Sequence, residues 1–456
     1  MPLVDSAELV ERLWARDPTL WTGHDEGRWL GWLDEPGRIR ERLDELIAFS
    51  RRVAEEGLRE IVLLGMGGSS LAPEVIRQTF RRDNLHVVDT THPAAVRRLA
   101  ESLDRDSALF LVASKSGTTL ETRVHLDFFW DWAGGRSDRF AAITDPGTEL
   151  EELARERGFR AVFAGEPTIG GRYSALSVFG MVPACLLGVD VSELVRRAEE
   201  IEEACRGDEN PGLELGLALG TAWRDGRDKV ITANPSGFGL WLEQLIAEST
   251  GKNGKGLIPA PGESPDGPDR QWQEVQVGDP LDLGAEFYRW EFATAVVGTL
   301  IGVNTFDQPN VQEAKDRTLD VLSGHGRAPG TQDVAEVDAE ALLAGAEPPE
   351  YVAIQAFIDP ERERELEPLL ARARGTGCVV THGLGPRYLH STGQLHKGGP
   401  PIGRFVQVVD DPGEELPIPG REFGFAKLIH AQADGDYAAL EERGRPIARA
   451  RLEELA

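Results

Sequence analysis

"ASKSGTTLET", Ala113 to Thr122, is the stretch on which the reading of this chain turns. It follows the apolar run "ALFLV" and precedes a segment of helical pattern. Ser114, Ser116, Thr118, Thr119 and Thr122 set hydroxyls around Gly117 and one cation, Lys115. A second stretch, "LLGMGGSSLAPE" at 63–74, has the same chemistry: Gly65, Gly67 and Gly68, then Ser69 and Ser70. In each, an apolar strand ends in a turn of small donors that opens a helix. Glycine lets backbone come close to a ligand. A helix N-terminus adds free N–H groups and partial positive charge. The pair predicts a phosphate cradle made mostly of neutral donors. GxxxxGK[ST] is absent, which disfavours a nucleoside triphosphatase. The G-x-G-G spacing, with no acidic ribose ligand after the next strand, weakens a dinucleotide site.

Composition explains why such a cradle is needed. The chain of 456 residues carries a net charge of −28. That argues against nucleic acid or an anionic membrane as partner. An anionic substrate then needs a donor-rich nest inside an acidic shell. Forty-one per cent hydrophobic content supports packed cores. No run approaches the roughly 20 apolar residues of a membrane span. The N-terminus, "MPLVDSAELVERLWARD", is acidic and helical in pattern, unlike a signal or transit peptide. Cys185, Cys205 and Cys378 lie far apart without metal-ligand spacing and fit a reducing cytoplasm.

Apolar runs alternate with crossover-length segments. "EIVLLG" (60–65), "LHVVD" (85–89), "ALFLVAS" (108–114) and "FAAITD" (140–145) read as one series of buried strands. "KVITAN" (229–234), "YVAIQAFID" (351–359) and "CVVTHG" (378–383) read as a second. The pattern predicts an α/β fold of two doubly wound parallel sheets, each an αβα sandwich, with flanking N- and C-terminal helices. Residues 1–57 form the helical lead-in, with Trp14, Trp21, Trp29 and Trp32 packing it. The first unit spans 58–200, the second 201–410, and 411–456 forms a C-terminal segment of two helices. Segments 261–285 and 323–335 read as long surface loops, and the first is a candidate lid. Ligands of open parallel sheets bind beyond the strands' carboxyl ends, where both cradles lie.

Four further motifs make a resemblance specific. They are "GGRYSALS" (170–177), "EQLIAESTGKNGKGLIPA" (243–260), "GVNTFDQPNVQEAK" (302–315) and "LHSTGQL" (389–395). With the two cradles they resemble the sugar isomerase (SIS) fold, and in particular the phosphoglucose isomerase family, over about residues 60–396. "HSTGQLHKGGPP" is most similar to the isomerase half of fused transaldolase–phosphoglucose isomerase polypeptides, and the length leaves no room for a transaldolase barrel. The resemblance implies interconversion of glucose 6-phosphate and fructose 6-phosphate, needing neither metal nor redox cofactor. Family members take their histidine from a neighbouring subunit, so a homodimer is the assembly implied. Here Lys315 precedes His390, the reverse of the usual motif order, so the chain path to the site must differ. Gly117 stands where the commoner form of its motif has an aromatic.

The resemblance and the chemistry assign roles together. Glu248 is the general base; the bland alternative is a surface helix glutamate beside Glu243. Arg172 is the fixed cation for charge developing on the C1–C2 oxygens. His390 and Lys315 fit ring opening, with His396 the near rival and His382 a weaker one. Gln308 is expected on the phosphate or sugar. Phosphate contacts implied are Gly68, Ser69, Ser114, Lys115, Ser116, Thr119 and Thr122, with Thr118 as a helix cap. A non-catalytic sugar-phosphate sensor, an isomerase also acting on mannose 6-phosphate, and an oxidoreductase on the glycine turn are the other readings.

Overall fold

The computed structural model describes residues 6–310, 317–318, 321–322 and 339–455. Five parallel strands form the first sheet: β1 Glu60–Gly65, β2 Leu85–Val88, β3 Ala108–Ala113, β4 Phe140–Thr144 and β5 Ala161–Ala164. Their order is β2-β1-β3-β4-β5. β1 and β3 read as apolar runs because both faces are covered, and every residue of β3 and β4 is buried. The chain leaves β1 towards β2, then crosses back to β3 on the other side of β1. The sheet therefore reverses direction between β1 and β3, with Gly65 in register with Ala113. Both cradles begin at this reversal, the place where open parallel sheets leave a crevice.

The second half departs from expectation. Its strands form two parallel sheets rather than one. The smaller has the order β7-β6-β8, from β6 Lys229–Thr232, β7 Ile258–Pro259 and β8 Arg270–Gln273. The larger has the order β10-β9-β11-β12, from β9 Tyr351–Phe357, β10 Val379–Leu384, β11 Gly403–Val409 and β12 Ile447–Arg451. One apolar cluster joins them, with Ile231 and Ile258 packed with Tyr351, Val379 and Phe405.

Two segments need correction. The expected loop 261–285 contains strand β8, a 3-10 turn at Pro280–Asp282 and the start of the helix Leu283–Ile301. The C-terminal segment is one helix, Phe425–Glu442, followed by strand β12 rather than by a second helix. "IARAR" hid its strand character because Arg449 points inwards. Arg449 is 4% exposed and its Nη1 donates to Asp434 Oδ1 at 2.6 Å. The expected loop 323–335 lies outside the described residues.

The N-terminal segment is helical as expected, with Ser6–Trp14 and Glu35–Glu55 joined by short 3-10 turns. Its tryptophans pack against the predicted motifs. Trp32 is fully buried and stacks on Tyr173 of "GGRYS", with centroids 5.2 Å apart. Trp21 meets Phe306 of "FDQ" edge-on at 5.3 Å. No helix among the described residues is long and apolar enough to cross a membrane.

Candidate active site

A cavity of about 700 Å³ opens beyond the carboxyl ends of β1 and β3. Gly68, Ser69, Lys115, Ser116 and Thr119 line it from the cradles. Arg172, Glu248, Gln308 and His390 line it from the other motifs. Nine of the twelve expected site residues therefore meet at one place. Ser114 and Thr122 do not line it. Ser114 Oγ is hydrogen-bonded to Thr119 Oγ1 at 3.0 Å, and Thr122 is fully buried with its hydroxyl unpartnered. Lys315 lies outside the described residues.

Glu248 sits in the helix Gly239–Thr250, which is wrapped on nearly all sides, so the surface-glutamate alternative fails. Gln244 lies one turn earlier on the same face, and its Nε2 donates to Glu248 Oε2 at 3.2 Å. Glu248 is 7% exposed. Burial pushes its carboxyl above the ordinary value, against the opposing pull of Arg172, His390 and Lys252. That is the direction a general base needs near neutral pH.

Arg172 follows the two glycines of "GGR" and is 2% exposed. Its Nε donates to Ser249 Oγ at 2.9 Å and its Nη1 to Gln308 Oε1 at 2.9 Å. Its Nη2 donates to Thr305 O at 2.6 Å and Asp307 O at 2.9 Å. A guanidinium has five N–H groups, so these four bonds leave one on Nη1. Nη1 lies 3.5 Å from Glu248 Oε2. The cation is thus fixed by the "FDQ" loop and aimed at the base.

The cradle differs in detail from its sequence reading. Lys115 Nζ donates to both carboxylate oxygens of Asp145 at 2.7 Å and to Glu166 O at 2.7 Å. Burial lowers its pKa while Asp145 opposes that shift. The ammonium is anchored to the protein, and the hydroxyl residues of that turn that line the cavity are Ser116 and Thr119. Gly117 has φ +71°, and a Cβ there would come 2.8 Å from Thr148 Cβ. An aromatic cannot occupy this backbone.

The glycines after β1 admit protein backbone as well as ligand. A Cβ on Gly68 would lie 2.0 Å from Gly171 O, and one on Gly67 2.6 Å from His390 O. The first cradle therefore carries both the "GGR" turn and the His390 turn. Gly68→Ala should cost at least about 1–3 kcal/mol, since the atoms it would meet are the backbone of Gly171 and not a flexible side-chain end. Thermal unfolding should show a lowered Tm, together with lost activity as Gly171 displaces Arg172.

His390 is placed by partners from distant segments. Its Nε2 lies 3.1 Å from Glu121 Oε1, and its carbonyl accepts from Gln244 Nε2 at 2.8 Å. The rivals are elsewhere. His396 is boxed by Tyr351, Tyr388 and Phe405, bonds the Tyr351 hydroxyl at 3.1 Å, and is held down to about 3 by burial. His382 is exposed and faces Glu363 at 3.4 Å.

Sequence reading missed several residues here. Lys252 Nζ donates to Asn304 O and to Asp307 O and Oδ1, and burial lowers its pKa to about 7. It pins the "FDQ" loop beneath Arg172. Asp25 and Trp29 line the cavity from the N-terminal segment. Asp25 accepts from Trp29 Nε1 at 2.9 Å and from Asn304 Nδ2 at 3.2 Å. Gln244 had a local signal, four residues before Glu248, and Lys252 lies inside a quoted motif. Asp25 had none.

Residues 38–218 match the model of the phosphoglucose isomerase family. It is 34% identical over 265 residues to glucose-6-phosphate isomerase of Thermosynechococcus vestitus, covering 50% of each chain. It is 28% identical over 356 residues to that of Rubrobacter xylanophilus, covering 68% of this chain and 80% of the relative. The chain spans about half the length of the cyanobacterial relative. Among solved structures, a glucose-6-phosphate isomerase from Chlamydia trachomatis superposes with a TM-score of 0.52 at 20% identity, over 70% of this chain and 79% of that one. That likeness is one of fold.

Proposed function

We propose that the protein interconverts D-glucose 6-phosphate and D-fructose 6-phosphate by ring opening and proton transfer through an enediolate. The observation that carries this reading is a buried carboxyl, Glu248, set 3.5 Å from a fixed guanidinium in the cavity that also holds His390 and the hydroxyl cradle. The phosphate sits against Ser69, Ser116, Thr119 and the N–H groups of the turn after β3, with Lys115 close by. His390 gives a proton to the ring oxygen as the C1–O5 bond breaks, while the C1 hydroxyl proton leaves to a base. The family resemblance makes Lys315 that base.

Glu248 then takes the C2 proton. The released electron pair forms the C1–C2 double bond and charge moves to O1. The free Nη1 hydrogen of Arg172 stabilises that charge in a site it need not reorganise. The O2 hydroxyl proton passes to O1 as Glu248 returns its proton to C1, leaving the carbonyl at C2. We place the protein in the cytoplasm, a compartment that suits Cys185, Cys205 and Cys378, which are buried free thiols.

The test is a coupled assay of fructose 6-phosphate conversion to glucose 6-phosphate with chelator present and mannose 6-phosphate run beside it. Brisk conversion is expected. Sugar-phosphate binding without conversion would make the protein a sensor and overturn the proposal.

A further inference from the structure

The helix Phe425–Glu442 belongs to none of the motifs, yet it reaches the site. Its first turns pack into the first unit's core through Phe425 and Leu428, and its later turns pack on the larger second sheet through Tyr437 and Leu440. Midway lies Gln432, 2% exposed. Its Nε2 donates to Glu121 Oε1 at 2.7 Å, the same oxygen that faces His390 Nε2. Its Oε1 accepts from the hydroxyl of Thr91, which is fully buried, at 2.6 Å.

The chemistry fixes the direction of this chain of bonds. An ionised carboxylate only accepts, so the amide must present N–H to Glu121 and its carbonyl to Thr91. The imidazole nitrogen facing that carboxylate must likewise carry a proton. The same helix anchors the His390 turn a second way. Asp436 accepts from the Tyr388 hydroxyl at 2.5 Å and pairs with Lys397, which flank His390 in sequence.

We propose that Gln432 is a positioning residue for His390: by holding the Glu121 oxygen that accepts the Nε2 proton, it keeps that nitrogen protonated, so that Nδ1 gives its proton to the sugar from the imidazolium and takes one back in the neutral Nε2–H tautomer. This rests on the isomerase reading and adds to it a role for the C-terminal helix. Other charged groups bear on the pair. Glu248 faces it from the helix Gly239–Thr250. His125, on Glu121's own helix, is held down to about 4 by burial and stays neutral. Arg387, on the His390 turn, is turned to Asp89 at 3.7 Å.

Gln432→Leu removes the donor and leaves Glu121 more basic, so the His390–Glu121 pair should hold its proton more tightly. Nitrogen-15 NMR of histidine-labelled protein, with His390→Gln for assignment, reads this without turnover. The wild type should show the Nε2–H tautomer, and Gln432→Leu should move the titration up by about one pH unit. In kinetics, kcat should fall about tenfold with KM within about twofold, and the pH profile should move by the same amount. Gln432→Glu should restore activity at low pH, where its protonated carboxyl donates to Glu121, and lose it as pH rises. Thr91→Val, which keeps Gln432, gives a smaller shift in the same direction should Gln432→Leu fold poorly. An Nδ1–H tautomer in the wild type, or unchanged titrations in all these variants, would overturn the proposal. The expected tautomer and shift in a wild type that does not isomerise would uphold the positioning and remove the proposed activity.

Discussion

Glu248→Gln should lower kcat at least about a thousandfold while KM for fructose 6-phosphate stays within a few fold. Glutamine keeps the shape and accepts the hydrogen bond from Gln244 Nε2, so the helix and cradle stay in place. It cannot take a proton from carbon. Stability should move the other way. Burial sets the folded pKa of Glu248 above the ordinary glutamate value of 4.5. Its contribution is therefore fully present below the unfolded pKa and is lost as pH rises through the folded one. Above that window the ionised group costs stability that glutamine does not. The variant should thus melt higher than wild type near pH 8, with the gap closing towards pH 4. Steady-state kinetics and melting curves across pH check both halves. Near-normal turnover in Glu248→Gln would remove Glu248 from the chemistry.

Arg172→Lys should cost about a hundredfold in kcat or more, although the charge is kept. The guanidinium makes four hydrogen bonds to Ser249, Thr305, Asp307 and Gln308. A lysine ammonium has three donors on one atom and cannot span that set. The "FDQ" loop loses one of its two anchors, keeping only Lys252, and the single hydrogen aimed beside Glu248 goes with it. The loss should be larger for a hydroxamate that mimics the enediolate than for fructose 6-phosphate, because the cation acts on charge that appears only during reaction. Equal losses for the two ligands would reduce Arg172 to a loop brace.

Much of the first unit was legible because its strands are buried on both faces and end in distinctive turns. β1 to β4 were read within a residue or two. β5, "AVFA", is apolar but only four residues long, and it lies half-exposed at the sheet's edge. In the second unit β11, "GRFVQVV", went unread, since Arg404 and Gln407 break its run and Gln407 is buried by pairing with Arg449 and Ala433 O. The site followed the same rule. Glu248, Arg172, Gln308 and the cradle stand in local motifs. The pairing of Glu121 with His390 spans 269 positions, and that of Asp25 with Asn304 spans 279. Only the folded chain brings such groups together. Lys115 lines the cavity as expected, but its pairing with Asp145, thirty positions on, had no local signal.

His390, Glu121 and Glu248 all belong to one polypeptide in this site, even though the motif order along the chain is reversed. On the proposed mechanism, a chain carrying His390→Gln and a chain carrying Glu248→Gln would each therefore lack a reacting group in every copy of the cavity. Mixed and reassembled, the two inactive variants should not complement one another. Where a histidine is lent between subunits, such mixing rebuilds one intact centre for each pair.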